Sequence, residues 1–256
     1  MALLRCDFFS DVLEVGTSMT VLLPQATEAQ IGVSPTRDDA SARGFPVLYL
    51  LHGLSDDSTA WQRFTGVERY AAEAGVAVVM PQVQRSFYAD EVRGGRYWSF
   101  LSEELPRVVG AFFAVSQRRE DTFVAGLSMG GYGALKWALR QPERFAAAAS
   151  LSGALDVVGL SRLPGRRDLF DRVFDGPPGP GDDVFALLAG ATPSSLPSLF
   201  VGCGTEDELY GSNVRFVDQA RTAGIDVHVD FRPGEHEWGL WDATVRDVLA
   251  WLPLPR

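Results

Sequence analysis

The sequence predicts an α/β protein built on a doubly wound, mostly parallel β-sheet. Continuous apolar runs at 47–51, 76–80 and 122–125 are typical of strands that are buried on both faces of a sheet. Patterns typical of helices separate these runs, and strands that alternate with helices favour a parallel sheet. The chain has 256 residues with 46% hydrophobic content, so we expect one domain with a single large core over residues 1–256.

Two further strands are predicted ahead of the parallel part of the sheet. Residues 5–23 are expected to form an antiparallel pair with a turn at 16–18, and the polar stretch 25–44 is expected to be a surface loop. Apolar periodicity and Gly or Pro stop signals then predict the remaining elements. In order these are strand 47–51, helix 60–74, strand 76–80, helix 102–113, strand 122–125, helix 132–139, strand 145–150, strand 199–202, helix 212–223, strand 225–231 and helix 240–251.

The alternation of strands and helices lapses between residues 154 and 197. This region contains two segments rich in glycine and proline, 164–167 and 176–181, with short amphipathic pieces between and after them. We interpret residues 154–197 as a small cap-like insertion over the C-terminal edge of the sheet. From that position the insertion is expected to border a pocket.

Composition argues against several classes of partner. The formal net charge of −10 at pH 7 disfavours nucleic acid and anionic membranes. No apolar run reaches the roughly 18 residues of a membrane span, and the first residues lack the apolar core of a signal peptide. We therefore expect a cytoplasmic protein. Cys6 and Cys203 are interpreted as two small buried hydrophobic residues rather than a disulfide.

Residues 126–130, Gly-Leu-Ser-Met-Gly, form the pattern G-x-S-x-G between a predicted strand and a predicted helix. A strand that turns directly into a helix holds its central residue, Ser128, in a strained backbone conformation. The flanking Gly126 and Gly130 leave the room that this turn requires. The hydroxyl group is then presented above the end of the sheet, near the free N–H groups of a helix N-terminus. Ser128 is therefore the candidate nucleophile.

A serine hydroxyl needs a neighbouring base, and the chain offers three histidines. His228 lies on the polar face of a predicted strand, which favours a surface position. His52 precedes Ser128, whereas the base comes last in the chain order nucleophile, acid, base. His236, in the loop after the last predicted strand, is therefore the candidate base.

The acid that orients this histidine is expected after the strand that precedes the histidine strand. Glu206, Asp207 and Glu208 lie there. We choose Asp207 because a tight turn can hold its short side chain firmly, and we interpret its two neighbours as solvated. Asp156, near the start of the cap segment, remains the second candidate.

An oxyanion formed when Ser128 attacks an ester needs two hydrogen-bond donors. The backbone N–H of Met129 is one candidate because it directly follows the nucleophile. The other is the N–H of Leu54, in the loop after the first central strand, where Gly53 permits a close backbone approach. His52 is then expected to hold this loop through its ring N–H. Aromatic residues expected near the pocket are Trp61, Tyr97, Trp98 and Trp238.

Four segments carry a resemblance to a known family. They are 50–57 (LLHGLSDD), 126–134 (GLSMGGYGA), 204–207 (GTED) and 233–238 (PGEHEW). In this order they resemble the esterase D family of α/β-hydrolases, and within it the tributyrin esterases most. Similarity to S-formylglutathione hydrolases, feruloyl esterases and mycolyltransferases is more distant. The resemblance covers nearly the whole chain and is weakest in the loop and cap segments.

This resemblance implies an α/β-hydrolase fold and a serine carboxylesterase for short acyl esters, with no cofactor and no metal ion. It implies Ser128, His236 and Asp207 as a catalytic triad. It further implies Leu54 and Met129 as oxyanion donors, a small-molecule ester as partner, and a homo-oligomer. The chain departs from the pattern at residues 55–56, Ser-Asp, where S-formylglutathione hydrolases carry Thr-Cys, which disfavours that substrate.

Two alternative functions remain open at this stage. The same triad could serve an acyltransferase, which uses an alcohol in place of water as the acyl acceptor. A non-catalytic binding protein on the same fold is the other alternative, although such proteins can lose triad members and this chain retains a complete candidate set. A fold by itself does not decide among these functions.

Overall fold

A computed structural model of the chain describes residues 1–25 and 44–254. Within these residues the strands are β1 (Ala2–Ser10), β2 (Val15–Leu23), β3 (Val47–Leu51), β4 (Ala77–Pro81), β5 (Thr122–Leu127), β6 (Ala147–Leu151), β7 (Ser198–Gly204) and β8 (Val227–Arg232). They form one eight-stranded sheet in the order β1-β2-β4-β3-β5-β6-β7-β8. β1 pairs antiparallel with β2, and β2 pairs antiparallel with β4. All other pairs are parallel, which confirms the predicted α/β class and mixed sheet.

Helices connect the parallel strands. They are α1 (Ala60–Phe64), α2 (Val67–Ala74), α3 (Tyr97–Ser99), α4 (Leu105–Phe112), α5 (Met129–Arg140), α6 (Val157–Ser161), α7 (Arg167–Phe174), α8 (Val184–Ala189), α9 (Tyr210–Thr222) and α10 (Trp238–Trp251). A π-helical segment, Phe100–Glu104, joins α3 to α4. Short 3₁₀ segments lie at Arg119–Asp121, Pro142–Arg144 and Pro193–Ser195. Among the described residues, no helix is both long enough and apolar enough to cross a membrane.

Apolar residues dominate the central strands because both faces of the sheet are covered. Every residue of β3, β4 and β5 is buried. Tyr49 of β3 packs into the core on the side of α5 and α9. Its neighbours Leu48 and Leu50 point the other way, into a second core on the side of α2 and α10. The alternation of side chains along one strand therefore supplies two separate cores.

Several predicted boundaries differ from the structure. The turn predicted at residues 16–18 is wrong, because residues 11–14 form the turn and Gly16 pairs with Phe9 inside the β1–β2 ladder. The helix predicted over 60–74 is interrupted at Thr65-Gly66, where the Gly66 N–H bonds the carboxylate of Asp242 at 2.7 Å. Most of the loop predicted at 25–44 lies outside the described residues.

The cap segment, residues 154–197, contains α6, α7 and α8. Its attachments to the remaining structure are both apolar and polar. The rings of Phe170 and Phe87 lie 5.1 Å apart between centroids, and the Tyr132 hydroxyl donates to the Asp182 carbonyl oxygen at 2.6 Å. These contacts hold the cap segment beside α5, the helix that begins directly after Ser128.

Candidate active site

Ser128 lies at the turn between β5 and α5, with a φ angle of 54° that non-glycine residues rarely adopt. The flanking glycines make this turn sterically possible. A Cβ atom on Gly126 would lie 2.4 Å from the Gly130 carbonyl group, and one on Gly130 would lie 2.3 Å from the Leu51 carbonyl oxygen. Because such contacts are far too short for any side chain, the strand, turn and helix can approach this closely only with glycine at both positions.

The structure brings Ser128, His236 and Asp207 together. The Nδ1 atom of His236 lies 2.8 Å from Oδ2 of Asp207, and its Nε2 atom lies 3.1 Å from the Ser128 hydroxyl oxygen. A carboxylate only accepts hydrogen bonds, so Nδ1 carries the ring proton and Nε2 is free to accept the hydroxyl proton. The three side chains thus form one hydrogen-bonded path, although they lie far apart in the sequence.

Asp207 is held as a buried carboxylate. Its side chain is fully buried, and its Oδ1 atom accepts the Leu209 N–H at 2.8 Å. Burial alone would raise the pKa of Asp207, but the hydrogen bonds from His236 and from the Leu209 N–H outweigh burial and lower the pKa of the carboxyl group below its usual value. The group therefore stays ionised at neutral pH and keeps the imidazole in one tautomer.

The loops that carry the acid and the histidine are joined directly. A Cβ atom on Gly204 would lie 2.0 Å from the Gly234 carbonyl oxygen, so the close approach of the two loops requires glycine there. The Gly234 N–H donates to the Glu206 carboxylate at 2.5 Å, and the Glu206 N–H donates back to the Gly234 carbonyl oxygen at 3.1 Å. Glu206 is exposed, as expected of a solvated neighbour, but its side chain also anchors the loop that carries His236, which the sequence did not indicate.

The second candidate acid, Asp156, lies elsewhere. Its carboxylate accepts the Gly159 N–H at 2.7 Å and so caps the N-terminus of α6. Its other oxygen forms an ion pair with Arg215 at 2.6 Å. Both oxygens are therefore engaged in holding α6, and neither bonds His236.

His52 directly follows the last residue of β3 and precedes the loop that carries Leu54. It is 1% exposed, and its Nδ1–H donates to the Gly53 carbonyl oxygen at 2.8 Å. Its Nε2 atom accepts the Val83 N–H at 3.2 Å, so both ring nitrogens are engaged. Burial lowers the pKa of His52 and keeps the ring neutral. As expected from the sequence, the ring bonds the backbone of the loop that carries Leu54.

A buried polar chain, which the sequence reasoning missed, supports this loop from behind. The Tyr88 hydroxyl donates to the His52 carbonyl oxygen at 2.8 Å, and the Lys136 ammonium donates to the Tyr88 carbonyl oxygen at 2.8 Å. Lys136 also forms an ion pair with Asp182 of the cap segment at 2.5 Å. One signal was available, because Lys136 is the sole lysine of the chain and lies within an otherwise apolar helix pattern.

A cavity of about 650 Å³ opens in front of Ser128 and His236. Leu54 and Met129, the two candidate oxyanion donors, both line it. Met129 is the first residue of α5, where backbone N–H groups have no partner within the helix. On one side the cavity is lined by residues of segment 154–197, among them Leu160, Arg166 and Phe170. Residues of segment 154–197 therefore form part of the cavity wall.

Tryptophan side chains form the wall behind His236. The Trp241 ring meets the imidazole edge-on with 4.8 Å between centroids, and Trp238 packs on Trp241 at 5.2 Å. Both tryptophans line the cavity. Of the aromatic residues expected near the pocket, Trp238 is there, whereas Trp61 packs behind it and donates its indole N–H to the Leu51 carbonyl oxygen. Tyr97 and Trp98 are not among the residues that line the cavity.

The sheet order, the strand-to-helix turn at Ser128 and the hydrogen-bonded path beside it define an α/β-hydrolase. A family model described as Putative esterase matches residues 25–252, and the chain belongs to that family. Its curated relatives include the acetyl esterase of Caldicellulosiruptor saccharolyticus, which is 28% identical over 265 residues and covers 98% of each chain.

Two solved structures from Staphylococcus aureus are similar to the chain along nearly its whole length. One is the fluorophosphonate-binding serine hydrolase FphF, with a TM-score of 0.88, and the other is the S-formylglutathione hydrolase FrmB, with a TM-score of 0.84. Each is 31% identical to this chain, and each alignment covers 98% of both chains. The chain is thus a carboxylic ester hydrolase by family and by structural likeness.

Proposed function

We propose that this chain is a serine esterase that hydrolyses short-chain acyl esters through an acyl-enzyme intermediate. The observation that carries the proposal is the hydrogen-bonded path from Asp207 through His236 to Ser128. The short acyl group is proposed from the full-length similarity to an acetyl esterase and from the resemblance to tributyrin esterases.

In the first half-reaction, His236 Nε2 takes the proton of the Ser128 hydroxyl while the oxygen attacks the ester carbonyl carbon. Asp207 stabilises the imidazolium that forms, and it needs no proton of its own. The negative charge on the former carbonyl oxygen is bound by the N–H groups of Leu54 and Met129. Removing one donor of this kind typically costs about 2.7–4 kcal/mol of transition-state stabilisation.

Collapse of the tetrahedral intermediate breaks the bond to the alkoxy group, and the alcohol leaves with the proton held by His236. Water then enters the cavity, gives a proton to the same imidazole and attacks the acyl carbon. The carboxylic acid is released and the proton returns to Ser128. His236 thus acts first as general base and then as general acid in each half-reaction, so it alternates between two protonation states in each cycle.

Substitution of the nucleophile tests this proposal. Ser128→Ala is expected to lower kcat for p-nitrophenyl acetate and p-nitrophenyl butyrate by roughly 10⁶-fold, because no covalent intermediate can form. Circular dichroism should show an unchanged fold. Ser195→Ala, at an exposed serine whose hydroxyl donates to the Thr192 carbonyl oxygen, is the control and should keep full activity. Full activity in Ser128→Ala would reject the proposal.

The similarity to an S-formylglutathione hydrolase supports a second candidate, a thioester substrate at the same triad. An activity profile across acyl chain lengths, with S-formylglutathione and feruloyl esters included, separates it from the first. Product analysis with and without an added alcohol distinguishes hydrolysis from acyl transfer. A fluorophosphonate probe addresses the non-catalytic alternative, since labelling that Ser128→Ala abolishes requires an activated serine.

A further inference from the structure

The outer edge of the sheet is formed by β1, a strand of nine residues. β1 pairs with β2 along all nine of its residues, from Ala2 opposite Leu23 to Ser10 opposite Val15. Within the described residues no strand pairs with its other edge, because β1 is the last strand of the sheet. Strands in globular proteins usually have five or six residues. A strand edge of nine residues is a template for pairing with another strand.

Side chains on one face of β1 follow an alternating order of types. Leu3, Arg5, Asp7 and Phe9 point to this face and are exposed, whereas the residues between them are half-buried on the other face. Leu3 is 48% exposed and Phe9 is 66% exposed. The order along the strand is therefore apolar, basic, acidic, apolar. Read from the other end, the acidic residue comes before the basic one, so an antiparallel copy can present opposite charges to this face.

This order is complementary to itself in one antiparallel register. When two copies of β1 are paired about Cys6, Arg5 lies opposite Asp7 of the second copy, and Leu3 lies opposite Phe9 of the second copy. A register centred on Asp7 would instead place two carboxylates face to face, and one centred on Arg5 would place two guanidinium groups face to face. Opposite charges across an antiparallel pair stabilise it and like charges destabilise it.

We propose that two copies of this chain pair through β1, antiparallel and centred on Cys6, so that their sheets become continuous. A two-fold axis perpendicular to the sheet keeps the exposed faces of both copies on the same side, as a self-complementary patch requires. Arg5 and Asp7 already lie 3.3 Å apart within one strand, so pairing creates a cluster of four charges with alternating signs. The paired backbone supplies the hydrogen bonds, and the side chains select the register.

Cys6 provides the first test because it lies on the proposed axis. Directly opposite residues in an antiparallel pair have Cα atoms about 4.5–5.5 Å apart, which lies within the range that a disulfide can span. The other cysteine, Cys203, is buried. Mild oxidation of the purified chain is therefore expected to give a covalent dimer. Cys6→Ser should abolish that product, and Cys203→Ser, the matched control, should retain it.

A charge exchange provides the second test and does not depend on oxidation. Sedimentation velocity should show a reversible dimer for the wild type. Asp7→Arg is expected to reduce the dimer at least tenfold in association constant, because Arg5 then faces an arginine of the second copy. The double variant Arg5→Asp with Asp7→Arg should restore it. A monomeric wild type, a covalent dimer that survives Cys6→Ser, or a dimer indifferent to the charge exchange would each overturn the proposal.

Discussion

His236, which lines the cavity, and His52, which does not, differ in exposure and in hydrogen-bond partners, and both properties govern proton transfer. His236 is 29% exposed in its side chain, bonds a carboxylate on one side and a hydroxyl group on the other, and lies in the loop between β8 and α10. His52 is buried and bonds only backbone groups, with a pKa lowered by that burial. One ring is therefore placed to gain and lose a proton, and the other is held neutral.

This contrast extends to the surroundings of each ring. On the His236 side, the buried carboxylate of Asp207 accepts a hydrogen bond from the imidazole, and in the proposed mechanism it stabilises the positive charge that forms there. On the His52 side, Tyr88 and Lys136 bond backbone carbonyl oxygens and fix the position of a loop. The hydrogen-bond partners of each ring therefore favour proton transfer at His236, as proposed, and a loop-positioning role at His52.

Of the changes that test the contrast between the two histidines, the largest effect is expected at the carboxylate. Asp207→Asn is expected to lower kcat for p-nitrophenyl butyrate by about 10⁴-fold, because an amide donor favours the wrong imidazole tautomer. Asp156→Asn is the control, since Asp156 bonds only α6 and Arg215. Steady-state kinetics of both variants decide between the two acids. Normal turnover in Asp207→Asn would contradict the role of Asp207 as the acid that orients His236. A comparable loss in Asp156→Asn would show that Asp156 is not a neutral control.

A smaller effect is expected on the His52 side. Tyr88→Phe removes the hydrogen bond to the His52 carbonyl oxygen, and we expect kcat to fall roughly tenfold with KM unchanged, below the cost of losing an oxyanion donor itself. Tyr132→Phe is the control, because this equally buried hydroxyl bonds the Asp182 carbonyl oxygen instead.

Thermal unfolding separates a positioning role from a structural one in these two variants. Each loses one buried hydrogen bond, worth about 1 kcal/mol, so similar decreases in Tm are expected. Only Tyr88→Phe should also lower kcat. Equal losses of kcat in both variants would show that the tyrosines act through the stability of the fold.

The smallest expected effect is on stability. Burial lowers the pKa of Lys136 to about 8, although Asp182 opposes the shift. Above this pKa the unfolded chain binds more protons than the folded chain, so stability rises with pH. Relative to Lys136→Met, the wild type should gain roughly 0.7 kcal/mol between pH 7.5 and 8.5. Denaturant unfolding at both pH values measures this difference. An unchanged difference would mean that the lysine keeps its ordinary pKa.

Much of the fold could be predicted from local patterns. Strands such as Val47–Leu51 are apolar because the sheet is covered on both faces, and Gly75 ends a helix with a φ angle of 68°. Boundaries that depend on distant contacts were missed. The break at Gly66 requires Asp242, and the helical stretch from Tyr97 to Phe112 contains a π-helical segment that no periodicity indicates.

Among the site residues, those with strict local requirements could be named in advance. Ser128 lies between glycines that no other residue could replace, and Met129 follows directly from it along the chain. The prediction that His236 and Asp207 lie close together was based on their positions after predicted strands, which do not give a distance. The anchoring of the histidine loop by Glu206 could not be predicted, because it depends on two loops that only the β7–β8 pairing brings together.

The choice of Ser128 as the proposed nucleophile and the alternation of strands and helices follow from short-range constraints, which are visible in single segments of the sequence. The different roles proposed for His52 and His236 do not, because their burial and their hydrogen-bond partners depend on tertiary packing. His52 bonds Val83, 31 residues away, whereas His236 bonds Asp207 and Ser128, 29 and 108 residues away. The same is true of Lys136, whose lowered pKa and contact with the cap segment exist only when α5, Tyr88 and Asp182 are packed together. Long-range packing sets the chemistry of a side chain through its solvation and its neighbours.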